Sequence, residues 1–477
     1  MRHTKIVCTL GPASESVEVL KKMLEAGMNV ARFNFSHGTH AEHGARMAAL
    51  RTAAAETGLP VALLLDTKGP EIRLGEIAGG SAYLAWGEEV VLTTEPIIGG
   101  KGVLPVSYAG LPQDVKPGQK ILLDDGLLEL EVLASAETEI RCRVRHGGEI
   151  KSRKGVNVPG AELKLPALTD KDVADIEFGL ENGIDFIAAS FVRSAEDVLE
   201  IRHLLEKHRA RVAVIAKIEN RAGVENIDAI LEVADGIMVA RGDLGVEIPV
   251  EEVPLVQKII IEKCNRLGKP VITATQMLES MIYNPRPTRA EASDVANAIF
   301  DGTDAIMLSA ETAIGRYPVE AVATMACIAR RAEEALRHEE LLLKKGLPVE
   351  RTTPEAISHA SCAIALELGA AAIITPTTSG STPRRVAKYR PRAPILAACP
   401  DERVLRQLCL VWGVEPLKVR PTSGTDEMVN TAVEAALLSG KVKEGDLVVI
   451  TAGIPVGVPG TTNLLKVHVI GEALADF

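Results

Sequence analysis

Two acidic residues, Glu219 and Asp243, close successive apolar runs, AVIAKIEN and GIMVARGDL. Two carboxylates brought to one point suit an octahedral divalent ion, magnesium or manganese, that keeps water and substrate oxygens in its other positions. Lys217 precedes Glu219 by two residues, so on an extended segment both side chains leave the same face. Its ammonium can reach an anion bound to that metal and offset charge developing there. Arg32 adds a second fixed cation suited to phosphate, because a guanidinium presents paired donors to an oxyanion. Asn34, Ser36, Asp66 and Thr67 offer oxygen ligands only, with one full negative charge among them, a set that suits a monovalent cation better than a second magnesium. RGDLGV has two glycines opening what reads as a helical turn, and its backbone N–H groups can bind a carboxylate or phosphate. Thr275 with Gln276 and Ser309 with Glu311 bring further polar groups to the ends of later apolar runs. The phosphate-loop pattern G-x-x-x-x-G-K-[ST], the dinucleotide pattern G-x-G-x-x-G after a strand, and H-E-x-x-H are absent. The residues alone therefore point to a metal-dependent enzyme acting on a small phosphorylated or carboxylated anion, with the transferred group left open.

Such residues need a scaffold that gathers them. Short apolar segments ending in polar residues begin near 5, 28, 61, 186, 213, 236, 270 and 305 and alternate with helical stretches. Apart from one gap of 125 residues, between the starts at 61 and 186, the spacing suits one strand, one helix and two loops. That is the repeat of a parallel (β/α)8 barrel, an α/β fold whose active sites sit at the C-terminal ends of the strands, where these polar residues fall. Within the gap, EEVVLTTE and KILLDDGLLELEVL read as antiparallel strands of an inserted β unit, placed to act as a lid. The chain returns at LTDKDVADIEFGLENG, where Thr169 caps a helix, Asp172 sits at its third position and Gly183 ends it. After the charged helix RRAEEALRHEELLLKK the pattern restarts with AAIITP, APILAAC, VEPLKV, DLVVITAG and LLKVHVI, a separate α/β unit. The expected limits are 1–70 and 166–340 for the barrel, 71–165 for the lid and 341–477 for the C-terminal unit.

The 477 residues exceed one ordinary domain. A net charge of −11, from 53 Lys and Arg against 64 Asp and Glu, opposes a nucleic-acid or membrane-surface partner, so phosphate binding must be local. Hydrophobic residues make up 47% and aromatics 3%, so aliphatic side chains fill the cores. No run suits a membrane span or a signal peptide, and a cytoplasmic protein is expected. Seven cysteines, odd in number and without a C-x-x-C pair, read as reduced thiols filling core space.

The strings TKIVCTLGPAS, MNVARFNFSHG, LDTKGPEIR, AKIENRAGVENIDAI, VARGDLGVEI, TATQMLESMIYNPRPTRAEASDVANAI and DAIMLSAETAIGRYPVEAV resemble the pyruvate kinase family along essentially the whole chain. The resemblance implies phosphoryl transfer from phosphoenolpyruvate to ADP. It also implies Glu219 and Asp243 as magnesium ligands, Lys217 as the cation on the transferring phosphoryl group, and Arg32 on the substrate phosphate. Gly242, Asp243 and Thr275 would receive the substrate carboxylate, and Thr275 with Ser309 would relay a proton to enolpyruvate. Arg73 and Lys154 would bind nucleotide phosphates with His37 nearby, while Asn34, Ser36, Asp66 and Thr67 match the family's potassium site. Glu71 matches potassium-dependent members. TTSGST, the residues Thr377, Thr378, Ser379, Gly380, Ser381 and Thr382, resembles the loop that binds a phosphorylated effector, and GIPVGVPGTTN from Gly453 resembles its partner loop. A homotetramer is implied by similarity alone, and no extra C-terminal domain of the kind some bacterial members carry is expected. The rival readings are a metal-dependent lyase or aldolase acting on pyruvate or phosphoenolpyruvate, and an inactive sugar-phosphate sensor.

Overall fold

The structure, a computed structural model, describes residues 2–161, 163–344, 351–456, 458 and 460–472. Among them, Lys5–Thr9, Val30–Asn34, Ala62–Asp66, Phe186–Ala189, Ala213–Ile218, Gly236–Ala240, Val271–Ala274 and Ala305–Leu308 are parallel strands that close into a barrel in sequence order. The eighth pairs with the first from Lys5↔Ala305 to Cys8↔Leu308. Strands buried on both faces read as continuous apolar runs, which is why their starts are legible to within two residues. Side chains alternate between two layers. Val7, Val30, Leu64, Ile215, Met238 and Met307 fill the interior, while Ile6, Cys8, Ala31, Leu63 and Ile237 pack beneath the helices.

Cys409 and Leu410, from the C-terminal unit, belong to the interior layer and plug the mouth at which the strands begin. Polar contacts fasten that end: Arg390 Nη1 to Asp304 Oδ1 at 2.8 Å, Arg406 Nε to Asp185 Oδ1 at 2.8 Å, and Lys5 Nζ to the Val414 carbonyl at 2.6 Å. The opposite mouth, where the strands end, is the one left for chemistry.

After Asp66 the chain leaves to build a mainly β unit, with one short α-helix at Leu111–Asp114 and its own core from Ile72 to Val158. Burial alternates along Lys120–Leu123 and Leu128–Ser135, as a sheet with one wet face requires. Their hairpin turns through Asp124, Asp125 and Gly126, all at positive φ. The chain returns through Asp170–Glu181, whose Thr169 hydroxyl accepts the Asp172 N–H while the Asp172 carboxylate accepts that of Thr169. Gly183, at φ 66°, lies just past its end.

The charged segment expected as one helix is two, Pro318–Glu334 and His338–Lys344. The break swings His338 across to the C-terminal unit, where its Nδ1 meets the Arg390 carbonyl at 2.9 Å. The last lysine of that charged segment, Lys345, lies outside the described residues. The C-terminal sheet runs Val414–Lys418, Ile395–Cys399, Ala372–Ile374, Leu447–Gly453 and Thr462–Val469, with the last strand antiparallel at the edge. All seven cysteines are free, and six are buried. No described helix is long and apolar enough to cross a membrane.

Candidate active site

Arg32 and Asp66 come from the adjacent second and third strands, and Lys217 and Glu219 from the end of the fifth, with the fourth strand between. Arg32 stands near the end of the second strand, and its Nε donates to Asp66 Oδ2 at 2.6 Å while Nη1 donates to Thr9 Oγ1 at 2.9 Å. The other Asp66 oxygen, Oδ1, accepts from Lys217 Nζ at 3.0 Å, and Lys217 lies equally 3.0 Å from Glu219 Oε1. Glu219 Oε2 accepts the Phe191 N–H at 2.6 Å, a donor aimed by a left-handed Phe191 backbone, φ 56°. The result is a line of alternating charge at the open mouth. Asp66 is fully buried, Glu219 is 1% exposed, and Arg32 and Lys217 are 8% exposed.

Burial shapes the protonation of each member. It opposes ionisation of Asp66, but the charges and hydrogen bonds of Arg32 and Lys217 override it and hold the carboxyl below its usual range. Burial likewise opposes the Lys217 ammonium, and the Asp66 and Glu219 carboxylates overcome it, so the amine holds its proton more tightly than usual. For Glu219 burial prevails: its pKa is raised, Lys217 pulls it back, and the negative charge of Asp243 adds to the rise.

Ser190, at the end of the fourth strand, ties the line together. Its Oγ accepts from Lys217 Nζ at 2.7 Å and lies 2.7 Å from the Thr67 carbonyl and 3.2 Å from Asp66 Oδ1. Sequence reasoning gave Ser190 no task.

Asp243 sits in the short helix Arg241–Glu247 and forms no ion pair or side-chain hydrogen bond among the described residues. It faces a cleft of about 580 Å³ between the barrel mouth and the inserted unit, together with Glu71, Asn157, Phe191 and Glu247. Asn157 Nδ2 donates to Glu247 Oε1 at 2.9 Å, and Arg193 donates to the Leu163 and Leu165 carbonyls at 3.0 and 2.9 Å, so three hydrogen bonds tether the inserted unit to the mouth.

Thr275 and Gln276 both adopt left-handed backbone, φ 68° and 56°. For a β-branched residue that is an outlier, and each such residue costs about 1–3 kcal/mol. Arg241 holds the turn, its Nη2 donating to the Thr275 carbonyl at 2.7 Å and its Nη1 to Asp294 Oδ1 at 2.8 Å. The Thr275 hydroxyl accepts the Gly242 N–H at 2.8 Å and donates to the Ala274 carbonyl at 2.7 Å. The Gly242 amide is therefore already satisfied within the protein. Ser309 follows the eighth strand, and its N–H donates to Glu311 at 2.7 Å.

The remaining sequence candidates divide. Asn34 pairs with Asp66 in register; its Oδ1 accepts the Ser36 N–H at 3.1 Å, and Thr67 Oγ1 accepts the Ser190 N–H at 3.1 Å. Arg73 pairs with Glu71 at 2.8 Å and Lys154 with Asp124 at 2.7 Å, so both cations expected to meet a nucleotide are held by carboxylates. The His37 side chain is exposed, and its carbonyl accepts from His43. Far from this mouth, Thr377, Thr378, Ser379, Ser381 and Thr382 line a cleft of about 250 Å³ with Gly453, Gly460 and Thr461, and Gly380 caps the following helix, Ser381–Lys388, at φ 77°. Gly457 and Pro459 of the expected partner loop lie outside the described residues.

Comparison with known proteins bears on this arrangement directly. The family model "Pyruvate kinase, barrel domain" matches residues 1–322, and "Pyruvate kinase, alpha/beta domain" matches 355–468. A pyruvate kinase of Geobacillus stearothermophilus is 61% identical over 99% of this chain and 81% of its own length. Those of Bacillus licheniformis and Staphylococcus aureus strain MRSA252 are 58% and 52% identical over the whole chain and 82% of theirs. With the barrel, the inserted unit and the charged mouth all falling inside the matched span, the chain belongs to the pyruvate kinase family.

Proposed function

We infer that the chain transfers the phosphoryl group of phosphoenolpyruvate to ADP, giving pyruvate and ATP. The observation that carries this reading is the buried line Arg32, Asp66, Lys217 and Glu219, with Asp243, unpartnered among the described residues, facing the adjoining cleft. Burying so many charges costs stability unless they pair or hold a ligand, and Asp243 has no ion pair among the described residues. Glu219 and Asp243 fit a divalent ion. The burial and mutual repulsion that raise the Glu219 pKa are what a cation between them would relieve. No group of three or more His, Cys, Asp or Glu that could hold a metal occurs among the described residues, so two protein carboxylates would leave positions for substrate oxygens and water.

Magnesium or manganese, when bound, supplies Lewis-acid stabilisation of phosphoryl and enolate oxygens. Arg32 holds the substrate phosphate. Lys217, fixed by Asp66, Ser190 and Glu219, sets a full positive charge where negative charge gathers as the phosphorus–oxygen bond to the enolate breaks and a terminal ADP oxygen takes the phosphorus. Thr275, locked by the Arg241 clamp, receives the carboxylate with Gly242 and Asp243 and, with Ser309, relays the proton that converts enolpyruvate to pyruvate. Receiving that carboxylate requires the Gly242 N–H to leave the Thr275 hydroxyl.

Residues 71–165 serve as the lid over a barrel formed by 1–70 and 166–340. Arg73 and Lys154 meet the nucleotide phosphates by exchanging Glu71 and Asp124 for them, with His37 at the rim. Asn34, Ser36, Asp66 and Thr67 supply hard oxygens for potassium, and Glu71 makes that ion necessary. The unit from 341 to 477 binds a phosphorylated effector at Thr377–Thr382, and the enzyme works as a cytoplasmic homotetramer. A coupled assay for ADP-dependent pyruvate formation tests the reading. Pyruvate formed without ADP would return the chain to the lyase or aldolase class.

A further inference from the structure

A cavity of about 600 Å³ opens between the base of the barrel and the C-terminal unit, reaching Ser379 and Ser381 from the barrel side. Seven of its lining residues are Lys or Arg and two, Asp235 and Glu355, are acidic, so like charges converge on one space. Four of the cations are spoken for within the protein. Arg202 pairs with Asp235 at 3.0 Å, Arg385 and Lys388 share Glu355, and Lys269 donates to backbone carbonyls including that of Ala234 at 2.7 Å. Arg211, Arg266 and Arg384 have no carboxylate within ion-pair distance among the described residues.

Arg384 is the telling member. It lies half-buried in the helix Ser381–Lys388, and its only side-chain hydrogen bond among the described residues is from Nη1 to the Ser379 carbonyl at 3.2 Å. Burial lowers its pKa, the sign of a desolvated cation that the carboxylate of Asp235 only partly offsets. Room for the guanidinium is made by Gly380, where a Cβ would stand 2.9 Å from Nη1. A guanidinium in such a place costs free energy unless an anion joins it.

We propose that this cavity binds a small phosphate-bearing metabolite, held by Arg211 and Arg266 from the barrel and Arg384 from the C-terminal unit. Three guanidinium groups offer the paired donors that phosphate oxygens accept, and Ser379, Ser381 and Gln407 offer polar groups to a hydroxylated body. The volume suits a molecule of sugar-phosphate or nucleoside-monophosphate size. The site is separate from the catalytic mouth, and it meets the Thr377–Thr382 cleft only at the shared loop.

Inorganic pyrophosphate, titrated calorimetrically into the full chain with chelator present to remove divalent ions, tests the proposal. The parent should bind it saturably. The exposed pair variant Arg211→Gln/Arg266→Gln, and separately Arg384→Gln, should weaken binding roughly tenfold or more, as expected when charge-assisted hydrogen bonds are lost. The pair variant should keep its catalytic activity, which shows that it folds, and Lys217→Met should keep pyrophosphate binding. Affinity within about twofold of the parent in the folded pair variant would overturn the site. So would binding abolished by Thr378→Val but untouched by the arginine changes, since that would place the anion in the neighbouring cleft.

Discussion

Replacing Lys217 with methionine removes one positive charge while keeping much of the side chain's length. In the parent, Nζ is 3.0 Å from both Asp66 and Glu219 and is held by Ser190 at 2.7 Å, so the charge cannot wander from the mouth. A unit charge about 4 Å from a developing negative charge is worth roughly 4 kcal/mol at an effective dielectric constant near 20. That corresponds to about three decades in rate. On the proposed roles the loss should fall on kcat, because Arg32 and the metal would still hold phosphoenolpyruvate, whereas charge on the departing enolate appears only as the bond breaks. Steady-state pyruvate formation at saturating magnesium and potassium reads this split. A kcat within about tenfold of the parent, with the loss in KM instead, would show that Lys217 serves ground-state binding and would refute the reasoning. Thermal unfolding guards against a trivial cause, since leaving Asp66 and Glu219 short of a cation also costs stability.

Three further outcomes follow from other contacts. Glu71→Lys places a fixed ammonium beside the cleft and should relax the potassium requirement; activity titrated against potassium that matches the parent would count against the Glu71 assignment. Arg193→Lys gives up the forked hold on the Leu163 and Leu165 carbonyls, so amide hydrogen exchange near 160–165 should quicken and KM for ADP should rise severalfold, whereas unaltered exchange would deny it a hinge role. His3 is 8% exposed, packs 4.5 Å from Trp412 and leaves its Nδ1 buried without a partner, and burial, with the nearby His338, Lys5 and Arg390 charges, lowers its pKa to about 3. Because the unfolded chain takes up this proton near pH 6.5 and the folded chain does not, the stabilisation is complete above that pH and is lost as pH falls towards the folded value. About 1.4 kcal/mol should be gone one unit below pH 6.5, and His3→Phe should lack that component of the acid-side fall in melting temperature. Parallel acid limbs for parent and variant would exclude it.

The scaffold was largely readable because each barrel strand is buried on both faces and ends where its polar residues begin. KIVCT and GIMVA declare themselves by composition, and Thr169 with Asp172 announces a helix start from four residues of local text. Glu219, Asp243 and Lys217 were likewise found from the period-two geometry of a single strand and its neighbour. Non-local facts were not readable. That Asp66 lies between Arg32 and Lys217 depends on the register of strands far apart in sequence, and the hub role of Ser190 depends on the same register. The left-handed Thr275 and Gln276 carry no glycine to betray them, and the clamp that enforces the turn comes from Arg241 on another strand's end. Nor does spacing reveal that Arg73 and Lys154 are already engaged by Glu71 and Asp124. The split of the charged helix at Ala335–Arg337 likewise reflects the reach of His338 to Arg390 rather than any local breaker.

In the proposed mechanism Glu219 and Asp243 share one divalent ion that also touches the substrate. A crystal structure of the chain with manganese and oxalate, a planar dianion that mimics enolpyruvate, examines this most directly. It should place one manganese bound by both carboxylates and by oxalate oxygens, with Lys217 Nζ within hydrogen-bond reach of the oxalate. Manganese bound elsewhere, or held without Asp243 while oxalate sits apart from Lys217, would contradict it.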